Sequence, residues 1–402
     1  MRTRLLTLAL AFASGTLLLA PAAPGADPGL RGQLAAALRS PDLRLGETAA
    51  YAVDLRSGEV LFAHNATKPF VPASVEKLPI AWAALRLLGP RFRFTTEVVG
   101  DGHRAGATWA GTLVLRGHGD PTLSTPDLDL LARTIRARGI RTVTGRIVGD
   151  ESFFDTKRAA PGWKREFVGG ESPPLSALVV DRGAGWPALF PAYAAAKSFR
   201  AALTRAGVSV HGGVGVGLAP AEGPRLATDT SPPLRQLVRL LNAESDNFAA
   251  EMLLKRLGAA DGQVGSSAGG ARAVLALLDR DGIPTQGLRL VDGSGLSARD
   301  RLTALALVSI LAAANTDPVA GPALLASLAV AGTSGTLDRR LYPLAGIVRG
   351  KTGTTDLSCT LVGVVRRDVA FAVLHNGTPV ACWAARAAQD RFVTLLAVER
   401  AG

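Results

Sequence analysis

Two cysteines, two methionines, three tyrosines and five histidines are all that the 402 residues hold of these types. So few cysteines exclude a disulfide framework, and Cys359 and Cys382 can be either a bonded pair or two buried thiols. His64, His103, His118, His211 and His375 are too far apart for metal-ligand spacing, and none of the chemistry read below needs a metal or an organic cofactor. Lysine is scarce too: seven of the 45 basic residues, the other 38 being arginine. Beyond the N-terminal stretch no run of about 18 apolar residues escapes a charge, so no spanning helix is expected. The first 26 residues do carry Arg2 and Arg4, an apolar stretch from Leu5 to about Ala20, and the small-residue segment APAAPGA. This predicts a secretory signal peptide cleaved near Ala22 to Ala26, and a secreted, extracytoplasmic protein of the periplasm or cell-wall space.

Hydrophobic residues make up 48% and charged residues 19%, which argues against disorder. The remaining chain of about 375 residues suggests two or three domains with ample core. A net charge of +12 points to anionic envelope polymers or lipid surfaces as neighbours. The charges are scattered, with no basic helix and no aromatic-basic interleaving, so nucleic acid is not expected as a partner. An arginine-rich compositional bias would explain the same charge.

After a helix over about Leu30 to Leu38, TAAYAVDLRSGEVLFAHNA alternates and turns at Ser57-Gly58, predicting a β-hairpin. SVEKLPIAWAALRLL reads as a helix with Leu78, Trp82, Leu85 and Leu88 on one buried face, ended by Gly89-Pro90. From about Phe94 to Leu226 the strand-like runs TTEVVG, GTLVLRG, GRIVGD and SALVV alternate with turns, and helices are expected near Asp127 to Arg138 and Tyr193 to Ala206. This is the pattern of an α+β module, residues 94 to 226, inserted in the chain. A helix-dominated stretch opens at TSPPLRQLVRLL and runs to about Leu341. Three antiparallel strands follow in GIVRGKTGTTDLSCTLVGVVRRDVAFAVLHNG, and a last helix covers Ala381 to Val398. The fold class is α+β: one antiparallel sheet assembled from residues 27 to 93 and 227 to 402 and flanked by helices, with the smaller module inserted.

Three motifs carry candidate chemistry. Ser74 and Lys77 stand three apart, so on a helix they share a face. A serine hydroxyl is a poor nucleophile until a base takes its proton, and a lysine does so only with a lowered pKa. A capping serine beside a solvated lysine gives the same spacing, and one Ser-x-x-Lys arises about a third of the time by chance. In LLNAESDNFAAEMLLK, Ser245 and Asn247 can face one space where a helix is interrupted, although an N-cap cluster explains them as well. RGKTGTTD places Lys351, Thr352, Gly353 and Thr354 on a strand-like run. The cation and hydroxyls suit a carboxylate, and the glycine would let a substrate backbone approach the strand edge; a hairpin turn is the alternative. All three in this order are expected about 0.001 times by chance.

Ser-x-x-Lys, Ser-x-Asn and Lys-Thr-Gly in this order are the signature of penicillin-binding proteins and serine β-lactamases. PASVEKL, GPRFRFTTEV, RGHGDPTL, SPPLSALVVDRG, ESDNFAAEML, VDGSGLS and VAGTSGTLDRRL narrow the likeness. Over nearly the whole mature chain the sequence resembles the D-alanyl-D-alanine carboxypeptidase/endopeptidases, the low-molecular-mass class C penicillin-binding proteins of peptidase family S13. The resemblance implies a penicillin-binding-protein/serine β-lactamase-like transpeptidase fold. It also implies hydrolysis of D-Ala-D-Ala termini, and of D-Ala-diamino acid cross-links, in peptidoglycan stem peptides, with β-lactam antibiotics as covalent inhibitors.

By the same resemblance Ser74 is the nucleophile and Lys77 its base. Ser245, bridged to the lysines, passes a proton to the leaving amine, and Asn247 holds the substrate amide. Lys351 keeps the site positive and helps hold Lys77 neutral; with Thr352 and Thr354, beside Gly353, it binds the terminal carboxylate. The N–H groups of Ser74 and Thr354 would form the oxyanion hole. Asp155, in GDESFFDTKR, would read a free amine on the substrate side chain, a solvated loop carboxylate being the alternative. DGSGLS, Asp292 to Ser297, is expected to frame the cleft wall without chemistry. One departure stands out: the family commonly carries two extra domains between its first and second motifs, and the gap of about 170 residues here has room for one and at most a reduced second.

Other readings use other features. A Ser-His-Asp hydrolase would use Ser267 in GSSAG, but such an elbow needs a strand before it, and GAADGQV reads as a loop. A β-lactamase or esterase of the same superfamily needs a water-activating group such as a glutamate, which the sequence does not locate. A non-catalytic β-lactam- or peptidoglycan-binding protein would usually lose one of the motifs, and all three are intact.

Overall fold

A computed structural model describes residues 28–184 and 189–399; the expected signal peptide lies outside the described residues. The chain starts with α1 (Pro28–Ala37) and the hairpin β1 (Thr48–Asp54) and β2 (Val60–His64). Gly58 turns the hairpin at φ +75°, the left-handed region in which glycine carries no steric penalty. A 3-10 turn, Ala73–Glu76, leads into α2 (Lys77–Leu87). Every residue from Lys77 to Leu85 is buried, so α2 is not the one-faced helix expected from Leu78, Trp82, Leu85 and Leu88. It is buried all round, as a helix in the centre of a protein is. Because α2 begins at Lys77, Pro79 falls in its first turn, where a missing N–H leaves no hydrogen bond unmade.

The next stretch builds a second sheet: β3 (Thr95–Ala105), β4 (Thr108–Gly117), α3 (Thr125–Ala137), β5 (Thr142–Val143), β6 (Ile147–Asp150), the single turn α4 (Phe167–Gly170), α5 (Pro191–Arg205), β7 (Ser209–Val210), β8 (Val214–Val216) and β9 (Arg225–Thr230). Its order is β7-β5-β4-β3-β9, with β6 on β4 and β8 on β6. β9 pairs with β3 as far as Thr230, so this sheet runs past position 226. Leu128, Leu131 and Ile135 of α3 and Phe199 and Leu203 of α5 pack against it. SALVV, read above as a strand, joins neither sheet. It is buried, and its backbone is satisfied by turns and by the β4–α3 connection: Ala177 O accepts from Gly119 N at 2.8 Å and Leu178 N donates to Ser176 Oγ at 3.1 Å.

Helices α6 (Leu234–Asn242), α7 (Asn247–Leu257), α8 (Ser267–Arg280), α9 (Ala304–Thr316) and α10 (Gly321–Ser327) follow. The chain then closes with β10 (Ala329–Val330), β11 (Val348–Thr355), β12 (Ser358–Val365), β13 (Val369–Asn376) and α11 (Cys382–Glu399). The six-stranded sheet has the order β10-β11-β12-β13-β1-β2 and is antiparallel throughout. It is assembled from both ends of the chain, Thr48 lying opposite His375. β13 is buried on both faces, which is why its sequence does not alternate. Ala370, Ala372 and Leu374 meet the core around α2 and α9, while Phe371 and Val373 join Leu34 of α1 and Phe392 of α11.

Cys359 and Cys382, left open by the sequence, form a disulfide that fastens the start of α11 to β12. A smaller cluster packs Phe154, Leu175 and Val179 onto Phe248 and Met252 of α7. The segment after β6 thus rests on the helix that carries Asn247. Among the described residues no helix is long and apolar enough to cross a membrane.

Candidate active site

Three elements converge on one cleft of about 470 Å³: the turn before α2, the α6–α7 connection and β11. Ser74, Ser245, Thr336, Thr352, Thr354 and Arg386 are among the residues lining it. Beside the cleft β11 has a free edge, because β10 pairs only with Arg349 and Gly350.

Ser74 caps neither the 3-10 turn nor α2. Instead Lys77 Nζ lies 2.9 Å from Ser74 Oγ, 2.8 Å from Asn247 Oδ1 and 2.6 Å from Ser294 O. A neutral amine has two hydrogens and one lone pair. In the protonated form Lys77 donates to all three oxygens; once it has lost a proton, the amide and carbonyl oxygens can accept its two hydrogens, which leaves the lone pair for the serine hydroxyl. Lys77 is fully buried, and burial lowers its pKa to about 8 despite the opposing charges of Asp292, Glu251, Asp246 and Glu76. Lys351, also buried, is held well below the usual lysine range by burial and then by the charge of Lys77. The expectation that Lys351 keeps Lys77 neutral therefore gives way to burial as the main cause, with the two lysines competing for protons.

Ser245 sits at φ +60°, a left-handed conformation that costs a non-glycine residue about 1 kcal/mol. Its Oγ accepts from Lys351 Nζ at 2.8 Å, and Lys351 also donates to Thr352 O at 2.7 Å. The expected bridge to both lysines is thus a bond to Lys351. Asp246 caps α7 by accepting from Ala249 N at 2.8 Å, as the N-cap reading of this motif expects. Asn247 gives its Oδ1 to Lys77, while its Nδ2 donates to Glu171 O at 3.0 Å; a substrate carbonyl would have to displace Glu171. Gly353 serves a different purpose from the one expected. A Cβ there would lie 2.3 Å from Thr360 Oγ1 and 2.9 Å from both Pro72 O and Ser74 N. The glycine lets β11 press against the Ser74 turn. Thr352 Oγ1 bonds Thr336 Oγ1 at 2.8 Å, and Thr354 Oγ1 accepts from Arg386 Nη2 at 3.4 Å.

Asp155 is not brought to this cleft lining. It is ion-paired with Lys255, whose side chain is 1% exposed. A buried ammonium needs a partner, so the carboxylate expected to read a substrate amine is already matched. Conversely, DGSGLS takes part in the site, because Ser294 O is one of the three acceptors around Lys77. Asp292 shapes this loop: Oδ1 accepts from Gly295 N at 2.7 Å, and Oδ2 from Ser297 N at 2.9 Å and Trp163 Nε1 at 2.8 Å. Glu251 accepts from Gly293 N and Ser294 N, each at 2.8 Å. Sequence reasoning missed Ser294, Glu251 and the arginines Arg339, Arg340 and Arg386 at the far end of the cleft. The only sequence signal for Glu251 was an acidic residue in the apolar run AAEMLL.

The chain matches the D-Ala-D-Ala carboxypeptidase 3 (S13) family over residues 30–193 and 188–398. It is 36% identical to carboxypeptidase DacB of Mycolicibacterium smegmatis, across 87% of this chain and 80% of that one. It is 31% identical to a D-alanyl-D-alanine carboxypeptidase of Actinomadura sp. strain R39, across 87% and 81%. Two structures of penicillin binding protein 4 (dacB) from Haemophilus influenzae have the same fold at 23% identity, each covering 92% of this chain and 98% of the other. Their TM-scores are 0.79 and, for one complexed with a β-lactam, 0.73. The motifs, the fold and these likenesses agree: the chain belongs to the D-Ala-D-Ala carboxypeptidase 3 family of serine peptidases, S13.

Proposed function

We propose that this protein is a serine DD-peptidase that cleaves D-Ala-D-Ala peptides of peptidoglycan through an acyl-enzyme on Ser74. The observation that carries the reading is a buried lysine amine 2.9 Å from Ser74 Oγ, with two other acceptors for its hydrogens. Lys77 takes the Ser74 proton as Oγ bonds to the carbonyl carbon of the penultimate D-alanine. The oxyanion so formed is met by the N–H groups of Ser74 and Thr354. The C–N bond then breaks, and the proton that Lys77 took from Ser74 is passed to the leaving amine through the Ser245 hydroxyl, which Lys351 holds, leaving Lys77 neutral again. Lys351, Thr352 and Thr354, with Arg386, hold the terminal carboxylate. Water adds to the ester, and its cleavage restores Ser74. The names of the relatives and the β-lactam in a structure of the same fold support this reading. The test is incubation of the mature protein with labelled penicillin and with a D-Ala-D-Ala peptide. Stable labelling lost in Ser74→Ala, together with D-alanine release, is expected. Rapid penicillin hydrolysis without peptide cleavage would instead mark a β-lactamase, and no labelling a binder.

The leaving group extends beyond a single D-alanine to the second strand of a cross-link. What supports this is the cleft's lining by Arg339, Arg340 and Arg386, with Arg340 paired to Asp390, and a neighbouring apolar groove of about 870 Å³ over Leu341 and Tyr342 that shares Arg339, Arg340 and Asp390 with it. One alanine is far smaller than this space. Arg339, with its side chain 88% exposed, is the residue to reverse. Arg339→Glu should raise KM for a cross-linked dimer by about tenfold while D-alanine release is unchanged; equal effects on both substrates would sink this extension. Export to the cell-wall space completes the proposal, and an N-terminus of the secreted protein between Ala23 and Asp27 would support it.

A further inference from the structure

Glu251 lies on α7, one turn beyond Asn247, and is fully buried. Its Oε1 is the common acceptor for the N–H groups of Gly293 and Ser294. The carbonyl of that same Ser294 makes the shortest of the three contacts to Lys77 Nζ, at 2.6 Å. A continuous chain of contacts therefore runs from Glu251 through two backbone amides to Ser294 O, Lys77 Nζ and Ser74 Oγ. The loop has little freedom elsewhere, since Asp292 accepts from the N–H groups of Gly295 and Ser297 and Gly295, at φ +80°, presses against Ala73 O of the turn that carries Ser74. Asn247 and Glu251 thus reach Lys77 from one helix by two routes, one by direct contact and one through the loop.

We propose that Glu251 is the positioning residue of the Ser74–Lys77 pair. It clamps the Gly293–Ser294 amides so that Ser294 O fixes the lysine amine with its lone pair on the serine hydroxyl. The role goes beyond shape because Glu251 is ionisable and shares a dry environment with the base. The charged groups acting on Lys77 are Glu76 beside it in the chain, Glu251 and Asp246 from α7 and its cap, Asp292 from the loop, and Lys351 from β11. Asp300, behind Asp292, is itself pushed up by burial and then by Asp292 and Glu76. Burial, then Asp292, raises the Glu251 carboxyl to about 8, in the range where Lys77 itself titrates. Among the described residues Glu251 Oε2 has no hydrogen-bond partner, so only Oε1 of the carboxylate is engaged. Ionisation of Glu251 favours the protonated amine, and removing that charge favours the neutral one.

This inference rests on Lys77 being the base, and its test separates the two. The rate of penicillin acylation is measured against pH for the wild-type chain, Glu251→Gln and Glu251→Ala, with melting curves for each. The glutamine oxygen can still accept from both amides but carries no charge. Glu251→Gln should keep the plateau rate within about threefold and move the midpoint of the profile down by at least about half a pH unit. Glu251→Ala, which orphans both amides, should lower the plateau at least about tenfold in protein that still melts cooperatively. A Glu251→Gln profile that superimposes on the wild type would overturn the proposal, whatever the alanine variant does. Failure of the wild type to acylate at all would strike at the assignment of the base instead.

Discussion

Lys77 acts as a base only after losing its proton, and burial places that loss at about 8. Acylation of Ser74 should therefore climb as pH rises through 8 and level off above it, as stopped-flow rates with a chromogenic β-lactam would record. A profile flat from pH 6 to 9 would contradict the role. Lys77→Met should slow acylation on the order of 10²- to 10⁴-fold with the fold intact. At Gly353 the crowding is on the protein side of β11, so Gly353→Ala should cost about 1–3 kcal/mol in a denaturant melt and abolish labelling by displacing the Ser74 turn. The residues read from the sequence were those whose side chains belong to a motif. Ser294 and Glu251 escaped because one acts through a backbone carbonyl and the other through burial, and neither leaves a pattern in spacing. Asp155 was misread because an exposed-looking acidic loop gave no sign that buried Lys255 would claim it.

Among the elements, the hairpin β1–β2 and the helices α3 and α5 were legible from one dominant period, and β11 to β13 from short apolar runs bounded by turn residues. α2 was read as one-faced because its alanines carry no hydropathy contrast, and only its central position shows them all buried. SALVV failed as a strand because buried, turn-rich chain has the same composition as a short buried strand. α11 holds Arg386 to the cleft near its first turn and is fastened there by Cys359–Cys382 across 23 residues. Replacing both cysteines with serine should lower stability by about 3 kcal/mol and weaken substrate binding more than it slows the chemical step. An unchanged KM would show that the disulfide stabilises the fold without setting the cleft.

At the scale of the molecule the two sheets are mechanically joined near the site. Phe154 belongs to the segment after β6 yet packs on Phe248 and Met252 of α7, and Trp163 bonds Asp292. Phe154→Ala should thus cost about 3–5 kcal/mol and slow acylation as well, whereas two independent units would show only the first effect in calorimetry and labelling. The sheet's closure across both chain ends has a consequence in time. Thr48 and His375 bond side chain to side chain at a separation of 327 residues. At ribosomal speeds the first strand waits roughly 16 to 65 seconds for its neighbour to be made. Throughout that interval the N-terminal hairpin keeps an unpaired, apolar edge, and Ser74 has no β11 beside it. Synthesis therefore yields an inert chain first, and the cleft can assemble only once the last strands have been made.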